Sequence, residues 1–526
     1  MLLLGASALA LYLPFLGNPL VFDDLPYFKQ GGFQDVFIGG FNLDLRWLPY
    51  FMTAWVELLF DNSLPIQRLI NLGLHLTCAL TLYALIKQIS NHAAPHANND
   101  RAALAAALLF LLHPLAVYAV GYLIQRTILM ATLFGLLSLS AYFDGLITRK
   151  KAYFALAAFF YFLSAHSKEH AILIPGVALL MSPLAGQFDR KLLKQLALPF
   201  ALYLIIFIFI ISKRASVVGH AYEPLGENFV FAHVGASDVQ TVWLLSVITQ
   251  ASLYFKYVLL TLFPLSALMS IDMRVPFAER LIDTKYILGV GAYLVYGVAA
   301  LALISKGGRK ALLGLALISP WLLFGVEFST VRIQEPFVLY RAYLWIPLLF
   351  LLVPVLTNWL PEKIFWVLVI GVCIAFAAAS RDRLESFSSA FEIWNDAVQK
   401  LPDREGVPGV ERAYFNRGNE YVALRNVPAA IEDYTRAIEI NPNLSALYLN
   451  RAYAFWQNHN FSRAEQDADA AIRLDTASAQ AYYLRGLINQ KGGNLEVAIR
   501  DFEKACRFAF HAACYAKSSL ETSAKR

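Results

Sequence analysis

Charge is scarce in this chain. Only 16% of its 526 residues are Asp, Glu, Lys or Arg, 58% are hydrophobic, and mean hydropathy is +0.52. A soluble globular protein carries about 25% charge and about 45–50% apolar residues, so a single soluble domain is excluded. The scarcity is also local. Charged residues are sparse up to about residue 380 and dense from 381 to 526, which predicts two regions built for different solvents. The N-terminal apolar run has no basic residues before it and no clean small-residue cleavage site after it, so residues 2–20 read as a retained span, not as a signal peptide. A strong basic excess is missing too: net charge is +6 and the cations sit mostly at loop ends, so no nucleic-acid partner is expected. His, Cys and Asp nowhere cluster with metal-ligand spacing, and no cofactor is expected.

Long apolar stretches are abundant. Crossing the hydrocarbon core takes about 20 apolar residues in a helix. Candidate spans fall near 2–20, 66–86, 102–120, 127–147, 152–166, 170–186, 195–211, 285–305, 310–327, 342–358 and 364–380, about eleven in all. Residues 240–270 are apolar as well, but Gln250, Lys256 and Pro264 make them read as an interfacial or broken helix. Lys87 and Arg101, residues 148–151, Arg190, Lys191 and Lys194, and residues 306–310 fall in alternate loops. Cytoplasmic placement of those loops obeys the positive-inside rule and sends everything after residue 380 to the opposite side. Lys213 and Arg214 are the irregularity.

The charged tail repeats itself every 34 residues between 411 and 510. Tyr414, Tyr448 and Tyr482 align, as do Gly418, Ala452 and Gly486; Ala430, Ala464 and Ala498; and Ala437, Ala471 and Ala505. Small residues there let the helices of each unit approach closely, which is the tetratricopeptide-repeat pattern. The expected architecture is all-α: a polytopic helix bundle over 1–380, a linker helix over 381–410, and a repeat solenoid of about three units plus a capping helix over 411–526. Cys78 and Cys373 fall in spans as packing residues; Cys506 and Cys514, eight apart across a helix-to-helix turn, are suited to a disulfide on an oxidising face, with two free thiols as the alternative.

Cations and acids gather on one predicted membrane face. "NPLVFDDLPYF" places Asp23 and Asp24 after the first span; Arg46 and Arg68 follow in the same loop, and later segments bring His113, Arg126, Lys168, Glu169, His170 and Arg341. An acid pair after a helix is also an ordinary cap, but so many charges beside hydrocarbon usually mark a site. Arg and Lys suit a phosphate, and a carboxylate suits proton abstraction from a hydroxyl.

The order and spacing of "FDD", "RWLP", "NLGLH", "ALLFLLHPLAVYAV…QR", "SKEHAILIP", "YFKYVLLTLFPLSALMSID", "YRAYLWIP" and the repeats resembles the transmembrane and tetratricopeptide-repeat O-mannosyltransferases, a GT-C glycosyltransferase family, over nearly the full length. That resemblance implies an inverting enzyme that moves a sugar from a polyprenyl-phosphate carrier to Ser or Thr of an acceptor protein held by the repeats. It carries the base onto Asp23 or Asp24, with Asp24 favoured and Asp23 in support; by chemistry Arg126, Lys168 and Arg341 are assigned to the donor phosphate and Glu169 to orienting Lys168, with Arg46, His113 and His170 as supporting residues. A divalent ion on Asp23 and Asp24, used by some enzymes of that class, is not favoured. A bacterial member would lie in the inner membrane among its lipids, with catalytic loops and repeats in the periplasm. Val117-Tyr118 and Arg126-Thr127-Ile128 depart from the animal pattern and leave the sugar open. His113, before Pro114, and mid-span His75 also fit purely structural roles. The alternatives are a glycolipid or polysaccharide acceptor, or a non-catalytic membrane-anchored repeat scaffold.

Overall fold

A computed structural model describes residues 1–22, 24–29, 43–61, 63–186, 190–214, 239–333, 335–357, 359–402 and 407–524. The chain divides into two units, Met1–Ser389 and Ala390–Arg526. Every regular element described is helical.

Unit 1 opens with α1 (Leu2–Tyr12), α2 (Asp24–Lys29), α3 (Trp47–Phe60), α4 (Leu64–Ala93) and α5 (Asn99–Leu111). It continues with α6 (Pro114–Val120), α7 (Arg126–Thr148), α8 (Lys151–Ser167), α9 (Ile174–Met181), α10 (Arg190–Arg214) and α11 (Val239–Leu262). It closes with α12 (Thr284–Ile304), α13 (Gly308–Phe324), α14 (Leu352–Leu356) and α15 (Glu362–Glu385). α7 is the central helix, buried over most of its length and packed on α8 and α4.

Seven helices among the described residues are long and apolar enough to cross a bilayer, or eight if α5 and α6, bent by 60°, form one broken span. The expected eleven came from counting apolar residues without breaks. Leu2–Phe15, Glu169–Ala185 and Pro347–Leu356 are shorter apolar helices, and prolines split the 342–358 stretch into 3-10 turns and the short α14. Residues 240–270 differ in the other direction. α11 runs unbroken for 24 residues because its polar side chains find partners: Gln250 donates to Pro336 O at 2.7 Å, and the Lys256 ammonium lies 4.7 Å from the Phe337 ring centroid.

Unit 2 begins with α16 (Ala390–Gln399), so residues 381–410 hold the end of α15 and this separate helix. The helix pairs follow: α17 (Glu411–Ala423) with α18 (Val427–Ile440), α19 (Ser445–Gln457) with α20 (Phe461–Leu474), and α21 (Ala479–Lys491) with α22 (Leu495–Arg507). α23 (His511–Ala524) closes the array. The aligned alanines at 430, 437, 452, 464, 471, 498 and 505 are fully buried, as a close helix approach requires. A Cβ on Gly418 would lie 2.7 Å from the Tyr434 ring, and one on Gly486 2.6 Å from the Phe502 ring, so only glycine fits. Cys506 and Cys514 form a disulfide with Cα atoms 4.9 Å apart, tying α22 to α23.

Candidate functional site

The charged residues of unit 1 that the sequence singles out do converge, in a buried seam near the ends of α7 and α8. Asp24 is fully buried at the start of α2, and its carboxylate accepts the backbone N–H groups of Ile124 at 2.8 Å and Leu123 at 3.2 Å. Burial raises its pKa to about 7, against the lowering effect of those two hydrogen bonds and of Arg68. Arg68 donates to Leu16 O and Pro19 O, holding the chain that leads into α2. Asp23 lies outside the described residues.

Arg126, the first residue of α7, has every nitrogen occupied. Its guanidinium donates to Asn71 Oδ1 at 2.8 Å, Thr53 Oγ1 at 2.8 Å, Gln67 O at 2.9 Å and Gln67 Oε1 at 2.7 Å. Lys168 donates to Gln125 Oε1 at 2.8 Å, and its ammonium lies 4.9 Å from the Tyr340 ring centroid. Burial pushes this ammonium well below the usual lysine range, with Arg46 and Arg341 acting in the same direction.

Glu169, which the sequence assigns to orienting Lys168, acts on that ammonium through its charge. It pairs with Arg46, whose Nε donates at 3.1 Å. Lys168 is in extended backbone at the end of α8, and Glu169 starts a 3-10 turn. Arg46, in left-handed backbone before α3, also donates its N–H to His166 O at 2.7 Å.

Sequence reading missed the residue that organises the next cluster. Glu327 is fully buried, and its carboxylate meets Arg341 at 3.1 Å, Arg332 at 3.3 Å and His170 at 3.4 Å. Its signal was an acid closing a predicted span at the hydrocarbon edge, a position that demands a partner. Lys213, the irregular outer cation, lies 3.5 Å from Asp44 of the first loop. His113 lies apart from the seam. It accepts the Leu115 N–H as the cap of α6, its Nε2 contacts Thr261 O of α11 at 2.9 Å, and its ring packs on Phe376 of α15. His75 bonds Tyr343 and Leu111 O inside the bundle. Among the described residues no three His, Cys, Asp or Glu side chains converge as metal ligands would.

Unit 2 holds a second arrangement, again unread in the sequence. Arg417, Arg451 and Arg485 grip Asp433, Asp467 and Asp501, each with two nitrogens at 2.6 to 2.9 Å. The third nitrogen of each arginine reaches back one helix pair: Arg485 to Asp469, Arg451 to Thr435, and Arg417 to Asn395 of α16. Arg and Asp recur at the 34-residue period, and this was the available signal. The first helices of successive pairs touch, α17 with α19 and α19 with α21, more closely than the second helices do, so they line the inner curve. Across that inner line Asn450 Nδ2 donates to Asn419 Oδ1 at 2.8 Å, and the same oxygen accepts the Tyr434 hydroxyl at 2.7 Å.

Comparison with known proteins bears on the repeats. The tetratricopeptide repeat family matches residues 411–444 and 479–510. A DnaJ homolog subfamily C member 7 homolog of Dictyostelium discoideum is 39% identical over 92 residues, 17% of this chain and 17% of its own length. Serine/threonine-protein phosphatase 5 of Rattus norvegicus is 32% identical over 102 residues, 19% of this chain and 20% of its own length. RNA polymerase II-associated protein 3 of Xenopus laevis is 39% identical over 88 residues, 17% of this chain and 13% of its own length. The chain thus spans a fifth or less of these relatives. The solved first TPR of Spaghetti (RPAP3) bound to HSP90 peptide SRMEEVD is 25% identical, with a TM-score of 0.21, covering 22% of this chain and 94% of that one. The Arabidopsis OM64 TPR domain is 28% identical, with a TM-score of 0.21, covering 21% and 94%.

These findings correct the enzymatic expectation. The family matched is the repeat, and none of the relatives named above is a glycosyltransferase. The polyprenyl-phosphate-linked sugar donor, the protein acceptor and the GT-C assignment fall with it. The geometry agrees, since Arg126 and Asp24 spend their hydrogen-bonding groups on neighbouring protein.

Proposed function

We propose that the chain is a non-catalytic, membrane-anchored repeat scaffold. Unit 1 is the anchor, and unit 2 captures an extended peptide of a partner protein. Anchoring is supported by long helices whose outward faces are exposed leucine, isoleucine and valine: Leu288, Val295 and Val298 on α12, and Val367, Ile370 and Ile374 on α15, are each more than half exposed. Such apolar surface is stable against lipid, not water. The seam of Asp24, Arg126, Lys168, Arg341 and Glu327 is then architecture, tying irregular segments across the bundle. A disulfide in unit 2 suits an oxidising compartment, and with the basic loops on the other side it favours the periplasmic face of an inner membrane.

The amide pair of Asn419 and Asn450 carries the binding reading. The Tyr434 hydroxyl donates to Asn419 Oδ1 and so fixes which end of that amide faces Asn450. The NH₂ of Asn419 and the carbonyl of Asn450 remain for a ligand, a donor and an acceptor side by side on half-exposed residues. That pair matches the C=O and N–H of an extended peptide. The cations nearby are already matched, because the repeat arginines hold aspartates. The test is fluorescence anisotropy on the detergent-solubilised full chain with labelled SRMEEVD and with an uncharged peptide of equal length. Asn450→Ala weakens peptide binding about tenfold, the loss of roughly one hydrogen-bonded group, without moving the melting temperature. Absence of binding by both peptides, or equal binding by the variant, overturns the reading.

A further inference from the structure

Unit 1 has one feature that neither the seam nor the repeats use. Between α1, α5 and α15 runs a groove of about 710 Å³, walled by Ala10, Leu112, Trp366, Cys373 and Ala378 and ending at Arg381. Among the described residues its lining is otherwise aliphatic or aromatic apart from Ser7, and Arg381 is its one charged residue. Alanines on both helices, Ala10 and Ala378, give the groove its depth. The stretch of α15 from Trp366 to Arg381 rises about 22 Å at roughly 1.5 Å per residue, most of the way across a hydrocarbon core of about 30 Å.

The groove opens to the medium that covers the rest of α15, because Ile370 and Ile374 both line it and are more than half exposed. What fills it must therefore be apolar along its length and anionic at one end. The Arg381 side chain is 70% exposed, and its Nε donates to Glu385 at 3.0 Å. Its two terminal nitrogens form the fork that pairs with phosphate oxygens.

We propose that this groove holds one acyl chain of a phospholipid, with the phosphodiester of its headgroup on Arg381. The proposal rests on the membrane-anchored reading of unit 1. A chain of methylenes gains favourable burial against the groove walls, and the guanidinium fixes its depth. The lipid then acts as a filler between α1 and α15, stabilising the packing of the N-terminal helix.

The experiment reconstitutes the full chain into vesicles of phosphatidylethanolamine and phosphatidylglycerol, extracts it in mild detergent, and counts retained phospholipid by native mass spectrometry. The parent retains about one phospholipid per chain through repeated washing, and Ala10→Phe with Ala378→Phe lowers retention about fivefold or more by filling the groove. Both alanines are exposed, so the larger rings meet no packed core. Arg381→Glu, which leaves the groove open, lowers retention comparably through charge repulsion. Equal retention by parent and variants overturns the proposal, as does a polypeptide found in place of lipid. A carbonate wash separates the two readings: release from the membrane ends the anchoring reading itself, while a chain that stays embedded without retaining lipid ends only this one.

Discussion

The two units solve the same problem, charge out of water, by opposite means. In unit 2 Arg417, Arg451 and Arg485 each meet an aspartate sixteen residues ahead, one at each helix pair. In unit 1 the pairings are unrepeated and of every sequence span: Glu327 meets Arg332 and Arg341 nearby, while Arg46 meets Glu169, Arg126 meets Asn71 and Thr53, and Asp24 meets the backbone a hundred residues on. Periodic pairing is tolerant because each rung has copies. One-off pairing concentrates the consequence of a change in a single residue. Repeat arrays behave as sums of neighbour terms, whereas a single core unfolds as a whole.

The sharpest way to break this contrast is Glu327→Gln. It leaves Arg341 and Arg332 buried without their carboxylate, and loss of one partner in a buried pair costs about 3–5 kcal/mol. A thermal melt of the detergent-solubilised chain registers a large drop confined to unit 1; a melt shifted by less than a degree would show the seam to be dispensable. Next comes the Cys506–Cys514 bridge. Replacing both cysteines by serine removes a short-loop constraint of about 2–3 kcal/mol, read as faster hydrogen exchange in α23, with α17 and α18 unaffected. Spread of the effect to the first helix pair would refute the independence of neighbouring repeats.

A rung of the ladder ranks third. Arg451→Leu leaves Asp467 without its bidentate partner and lowers the stability of the middle pair by about 2 kcal/mol. Denaturant-dependent hydrogen exchange on the full chain locates the loss in α19 and α20; an equal loss throughout unit 2 would mean the array unfolds as one block. The fourth effect is a slope. The folded pKa of Asp24 is raised to about 7 from an ordinary value near 3.8. Between those values the folded state binds the proton that the unfolded state has released. Stability therefore falls as pH rises across that window, by at most about 1.4 kcal/mol per pH unit, and is level above it. Melting temperatures from pH 4 to 8 show this decline in the parent and not in Asp24→Asn. Superimposable profiles would mean that Asp24 is solvated.

The ease with which each unit could be read from sequence follows the same contrast. Tyr414, Gly418 and Ala430 announced the repeat because their spacing is local and recurs. Arg417 and Asp433 recur identically and could have been paired by the same reasoning. In unit 1, apolarity located the helices, but not where Pro347 and Pro354 interrupt them. The cluster of charged residues was visible as composition. Its pairings were not, since Arg46 meets Glu169 across 123 residues, an approach that only the assembled helix ends define. Resemblance of ordered motifs suggested an enzyme, and it failed because motifs weak one by one do not fix a chemistry.

The backward reach of each arginine gives the array a direction and a unit of growth. Since Arg451 and Arg485 each take one acceptor from the preceding pair, and Arg417 takes Asn395 from α16, duplication of a whole 34-residue cassette would arrive with all its charges matched. An insertion of any other length would strand an arginine at the join. The repeat region can therefore lengthen in evolution only in whole steps, and α16 is the fixed origin from which those steps are counted.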